Sequence, residues 1–69
     1  MFIEAGTKLT VYDGRKGVFE AIAGDDFDTE KDEFYPIITA EYVSGMVNDW
    51  YPGERIPCRK GFSVIKPHD

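Results

Sequence analysis

A single cysteine, Cys58, leaves the chain without an internal disulfide, and a single histidine, His68, leaves it without a second imidazole. One Cys and one His cannot supply the four ligands of a structural zinc site. Nucleophilic catalysis of the Ser-His-acid or Cys-His kind needs an imidazole held rigidly between its partners. His68 follows Pro67 in what reads as a solvated, fraying tail. No enzyme activity, cofactor or metal is therefore expected.

Long apolar runs are also missing, and nothing approaches the roughly 20 residues needed to cross a bilayer. The start, Met1-Phe2-Ile3-Glu4-Ala5-Gly6, has neither a basic segment nor an extended apolar core, so it does not read as a secretory signal. An unpaired thiol suits a reducing compartment, and a cytoplasmic protein is expected. Thirteen acids against eight bases give a net charge of -5, which disfavours a nucleic-acid backbone as the main partner.

At 69 residues the chain supports one domain, residues 1–69. A chain this short buries only about 60% of its unfolded surface and needs some further source of stability. Aromatics supply it here: five Phe, four Tyr and one Trp make up 14% of the sequence. Cys58, beside Ile56 and Pro57, reads as a small packing residue rather than a thiol activated by Arg59 and Lys60.

Short alternating runs separated by turn residues predict a mainly β fold, a small single-domain barrel or rolled antiparallel sheet of SH3-like size. Leu9 and Val11 fall on one face of a strand, with Lys8, Thr10 and Tyr12 on the other. Asp13-Gly14 predicts the turn of a hairpin over residues 7–23, with Gly14 accepting positive φ. Residues 34–39 have strand composition, with Pro36 confining that strand to an edge, a start or a bulge. Pro52-Gly53 and Arg59-Lys60-Gly61 predict further turns, and residues 62–65 a last strand. Over residues 39–50 two structures compete. Tyr42, Val43, Met46, Val47 and Trp50 have helical spacing, giving an α+β alternative. Ser44-Gly45 instead turns a hairpin between residues 40–43 and 46–51, the reading preferred here.

Six acids crowd residues 25–33: Asp25, Asp26, Asp28, Glu30, Asp32 and Glu33. Their alternate spacing from Asp26 mimics the start of a calcium-binding EF-hand loop. Yet Lys31 stands where that loop needs Gly, and Ile37 where it needs a bidentate Glu. An exposed acidic loop is the expectation, able to steer the domain toward a basic protein surface. Tyr35, Tyr42, Trp50 and Tyr51 are the candidate aromatic contacts, since Trp and Tyr concentrate binding energy; core packing is the competing role, above all for Trp50. Arg15, Lys16, Arg59 and Lys60 lie at two turns that become neighbours if the first and last strands pair.

This profile is similar in style to small phage-encoded inhibitors that block host or defence proteins, including anti-CRISPR proteins. The likeness is one of size and charge, covers no motif and transfers no residue. The leading expectation is a non-enzymatic protein-binding module, of inhibitor type, that docks the acidic loop with Tyr35, Trp50 and Tyr51 onto a basic surface of a larger protein. The alternatives are a small barrel that binds nucleic acid or an anionic ligand through the Arg-Lys turns, and a structural subunit of a larger assembly.

Overall fold

The computed structural model describes residues 1–40 and 50–68, and among these every regular element is a strand. In chain order they are β1 (Phe2–Ile3), β2 (Lys8–Asp13), β3 (Gly17–Ala23), β4 (Phe27–Asp28), β5 (Phe34–Thr39), β6 (Arg55–Arg59) and β7 (Ser63–Pro67). Five of them form an antiparallel sheet in the order β6-β5-β3-β2-β7, and β1 pairs with β4 in a second sheet of two strands. The fold is mainly β, as its alternating runs predict. The choice between helix and hairpin for residues 39–50 turns on residues 41–49 and lies outside the described residues.

The large sheet curls without closing. β6 and β7 stand at opposite ends of the strand order, yet the short turn over residues 60–62 joins them directly, closed by Phe62 N donating to Arg59 O at 3.1 Å. Among the described residues no backbone pairing joins these two strands, so the result is a rolled sheet rather than a hydrogen-bonded barrel. Its concave face collects Leu9, Val11, Phe19, Ala21, Ala23, Tyr35, Ile37, Ile56, Cys58 and Ile65, all buried. Ile3 and Phe27 join this core from the small sheet. Strand alternation explains the division: in β2, Leu9, Val11 and Asp13 point inward while Lys8 and Tyr12 face water. Each large apolar side chain fully buried in this way contributes roughly 1.5–3 kcal/mol.

Pro36 and Pro57 pair directly across β5 and β6. The bonds Thr39 N to Glu54 O and Lys60 N to Glu33 O make the odd-numbered positions of β5 the hydrogen-bonded ones toward β6. The two prolines therefore meet at a position where neither strand needs an N–H from the other. On its other side Pro36 lies beyond the stretch of β5 that pairs with β3, which covers Ile37 to Thr39. Hence a strand inside the sheet tolerates proline where it behaves locally as an edge.

The hairpin of β2 and β3 has Asp13 opposite Gly17. Its loop is three residues long, and the positive φ predicted for Gly14 is found at Gly17, at 84°. The reason is loop length: a three-residue hairpin loop ends in a left-handed residue instead of centring on one. Gly61 holds φ of 91° at the third position of the Arg59–Phe62 turn, which Phe62 N closes by donating to Arg59 O at 3.1 Å. The repeated Arg-Lys-Gly triplet is therefore turn chemistry used twice.

Candidate functional site

The pairing of β2 with β7 places Asp13 opposite Ser63, which sets the β2–β3 turn beside the β6–β7 turn. Gly14 N donates to Phe62 O across the junction at 3.3 Å. Arg15 and Lys16 thus come to lie next to Arg59, the neighbourhood foreseen for the two basic turns. Asp13 shapes the first turn from within, its Oδ1 accepting the amides of Arg15 at 2.8 Å and Lys16 at 2.9 Å.

Two arginines and two phenylalanines gather at this end of the roll. The Arg15 guanidinium lies 5.7 Å from the centre of the Phe62 ring, and Arg59 lies 5.4 Å from the same ring. Arg59 is also 5.3 Å from the centre of Phe34. Each distance is within the range of cation–π attraction. Phe34 is 67% exposed and Phe62 52%, so both rings keep much of their surface in water. They line a cleft of about 290 Å³ together with Asp13, Arg15, Lys16, Pro57, Cys58 and Arg59.

The cations of this cleft are unevenly matched. Lys16 Nζ is 4.0 Å from the buried Asp13 carboxylate, and Arg59 donates to Glu33 Oε1 at 3.1 Å. Among the described residues no carboxylate pairs with Arg15. Arg15 is exposed and lies within cation–π distance of Phe62.

The floor of the cleft is polar but saturated. Ser63 Oγ donates to Asp13 Oδ2 at 2.6 Å, and the buried Cys58 thiol lines the same cleft. Burial pushes the Asp13 carboxyl up, yet the bonds from Ser63, Arg15 and Lys16, with the charge of Lys16, bring it below its ordinary value. Burial pushes the Cys58 thiol up, and this outweighs the lowering influence of the neighbouring Ser63, while the charges of Asp13 and Lys16 act in smaller, opposite senses. A thiol so placed is poorly suited to nucleophilic chemistry. The network fits a structural role, with Cys58 as a packing residue.

The acidic segment is less of a free loop than its composition predicts, because Phe27 is buried and draws Phe27–Asp28 into a strand against Phe2–Ile3. Several of its carboxylates hold its own backbone. Asp26 Oδ1 accepts Ala5 N at 2.8 Å, Asp25 Oδ1 accepts Asp26 N at 2.8 Å, and Asp32 Oδ2 accepts Asp28 N at 2.7 Å. Asp28 Oδ1 accepts Glu30 N at 2.8 Å and Lys31 N at 3.2 Å and lies 3.5 Å from the Met1 ammonium. The Glu30 amide keeps the Asp28 carboxyl below its ordinary value against the opposing effect of burial, with smaller help from Lys31 and that ammonium. Glu33, with its side chain 61% exposed, adjoins the cleft through its pair with Arg59, and Lys60 Nζ donates to the backbone Glu30 O at 2.6 Å. Among the described residues no group of three metal-ligating side chains is placed to hold an ion.

Of the candidate aromatics, Tyr35 is buried, stacks with Phe27 at 5.1 Å and donates its hydroxyl to Thr29 O at 2.6 Å. It builds the core and is not presented to a partner. Trp50 packs against the core and is partly covered. Tyr51 is 64% exposed beside the Pro52-Gly53 turn, and Tyr42 lies outside the described residues. The contacts that sequence reasoning passed over are Phe34 and Phe62. Each directly adjoins an acid or a turn, Glu33 before Phe34 and Gly61 before Phe62, a context in which a large apolar residue is often exposed. His68 is not frayed: its amide donates to Lys8 O at 2.8 Å, and its Nε2 lies 2.8 Å from Thr10 Oγ1 and 3.0 Å from Glu20 Oε2.

No family model, no curated protein and no solved structure matches this chain. No helix among the described residues is long and apolar enough to cross a membrane.

Proposed function

We propose that this domain is a non-enzymatic protein-binding module and that it docks through the cleft between its two Arg-Lys turns. The observation that carries this reading is the cluster of cation–π contacts among Arg15, Phe62, Arg59 and Phe34 in one cleft. Exposed aromatics and arginines concentrate binding energy at protein interfaces, and here each stiffens the other before any partner arrives. Less side-chain freedom is then lost on docking.

Charge argues for a protein partner over a polynucleotide. A polyanion at Arg59 meets the Glu33 carboxylate already paired with it, and the whole chain carries -5. A protein surface that offers a carboxylate beside a basic group matches both halves of this bipolar rim. The acidic segment then contributes steering and a flank, while its inner carboxylates shape the backbone. Blocking the surface of a larger protein, the inhibitory role suggested by size and charge, is one use of such docking.

Affinity capture with three forms of the domain tests this reading. A partner held by the wild type should be lost from the Arg15→Glu, Phe62→Ala double variant and kept by a variant with Asp25, Asp26 and Asp32 changed to Asn. The reverse pattern would transfer docking to the acidic segment.

A further inference from the structure

We infer that the cleft accepts a single carboxylate carried next to an aromatic side chain, in an acidic-aromatic segment of the partner protein, and that Glu33 occupies part of that place in the free domain. This rests on the docking reading above and adds the chemistry of the occupant. The structure already shows one anion that Arg59 takes, since Glu33 Oε1 sits 3.1 Å from its Nη2. That contact uses one donor of a five-donor fork, so most of the guanidinium remains unspent.

Both partners of this ion pair are largely open to water, with side chains 50% and 61% exposed. Exposed pairs of this kind contribute little, and an incoming carboxylate that also reaches Arg15 displaces Glu33 at small cost. Arg15 has no competing carboxylate among the described residues. The anion is therefore read chiefly by Arg15, with Arg59 shared. A flat apolar group beside the anion completes the match, because Phe34 and Phe62 line the same cleft and both remain largely exposed. The cleft, at about 290 Å³, has room for a side chain or two and not for an extended ligand.

Two capped tetrapeptides separate the possibilities, one with glutamate beside tryptophan and one with glutamine in its place, titrated into the whole domain and followed by amide NMR shifts. The glutamate peptide should move the signals of Arg15, Arg59 and Phe62 and bind about tenfold more tightly than the glutamine peptide. Arg15→Gln should weaken it by about tenfold, with Arg15→Lys intermediate. Glu33→Gln should tighten it by about threefold, the scale of an exposed ion pair. Thermal melts of the three variants confirm that each still folds. Equal binding of both peptides at the cleft, unaffected by Glu33→Gln, would overturn the carboxylate inference and leave the docking reading standing. Absence of any shift in the cleft signals with either peptide would count against both. Tighter binding of a short thymidine oligonucleotide than of the glutamate peptide at physiological salt would overturn the inference in favour of phosphate.

Discussion

Ser63 and Asp13, separated by 50 positions in the chain, share a buried hydrogen bond of 2.6 Å. That bond fastens β7 to β2 at the end of the roll where the two basic turns meet. Ser63→Ala leaves Asp13 Oδ2 buried and short of a donor, a change that costs about 1–3 kcal/mol. Asp13→Ala removes the acceptor of the Arg15 and Lys16 amides as well, so it should destabilise more. Urea unfolding monitored by Trp50 fluorescence measures both. Equal, negligible losses would mean that strand pairing alone holds this corner.

The same carboxylate makes stability depend on acid. Asp13 has a folded pKa below its ordinary value, because the donors around it outweigh the penalty of burial. Its contribution is complete above the unfolded value of about 3.9 and disappears as pH falls through the lower folded value. The stability gap between wild type and Asp13→Asn should therefore hold from neutrality down to about pH 5 and narrow below about pH 4. Asp28 is depressed in the same direction, so the variant should retain some acid sensitivity of its own. A gap independent of pH would show that the Asp13 carboxylate is not the group responsible.

Much of this architecture was legible because it rests on alternation and turn chemistry. Leu9 and Val11 inward against Lys8 and Tyr12 outward follow from side-chain period alone, and the meeting of the two Arg-Lys turns follows once β2 and β7 pair. What composition concealed was use. Six acids in nine residues read as free charge, but Asp26, Asp28 and Asp32 accept backbone amides and carve the segment into tight turns. Tyr35 and Phe34 are adjacent residues of one strand and so face opposite sides of it, one into the core and one into water. No rule of residue type assigns the tyrosine to the interior and the phenylalanine to the surface. His68 was read as fraying because it lies near the end, yet β7 carries it into register with β2.

Cys58 provides a probe of the cleft floor. Its thiol is buried and lifted above its ordinary pKa first by that burial. Alkylation by iodoacetamide at mildly alkaline pH should be slow in the folded protein and should accelerate with urea in parallel with unfolding. Ser63→Ala should speed the folded-state reaction by loosening the same corner. Labelling of the native wild type at the rate of a small free thiol would show that the floor is open to solvent.

A pair of glycines in one turn distinguishes the observed hairpin from the one that dipeptide chemistry suggests. Gly17 holds φ at 84°, where a Cβ crowds the following carbonyl and costs roughly 1–2 kcal/mol. Gly14 is not among the glycines with positive φ, and a Cβ built on it meets nothing within 4 Å. Gly17→Ala should therefore lower the urea midpoint clearly, whereas Gly14→Ala should leave it unchanged or raise it slightly through reduced freedom of the unfolded chain. The Arg15 side chain follows the same turn, so Gly17→Ala should also disturb its contact with Phe62 and weaken cleft binding. The opposite ranking of the two variants would restore Asp13-Gly14 as the centre of the turn and remove the three-residue loop that sets Arg15 over the Phe62 ring.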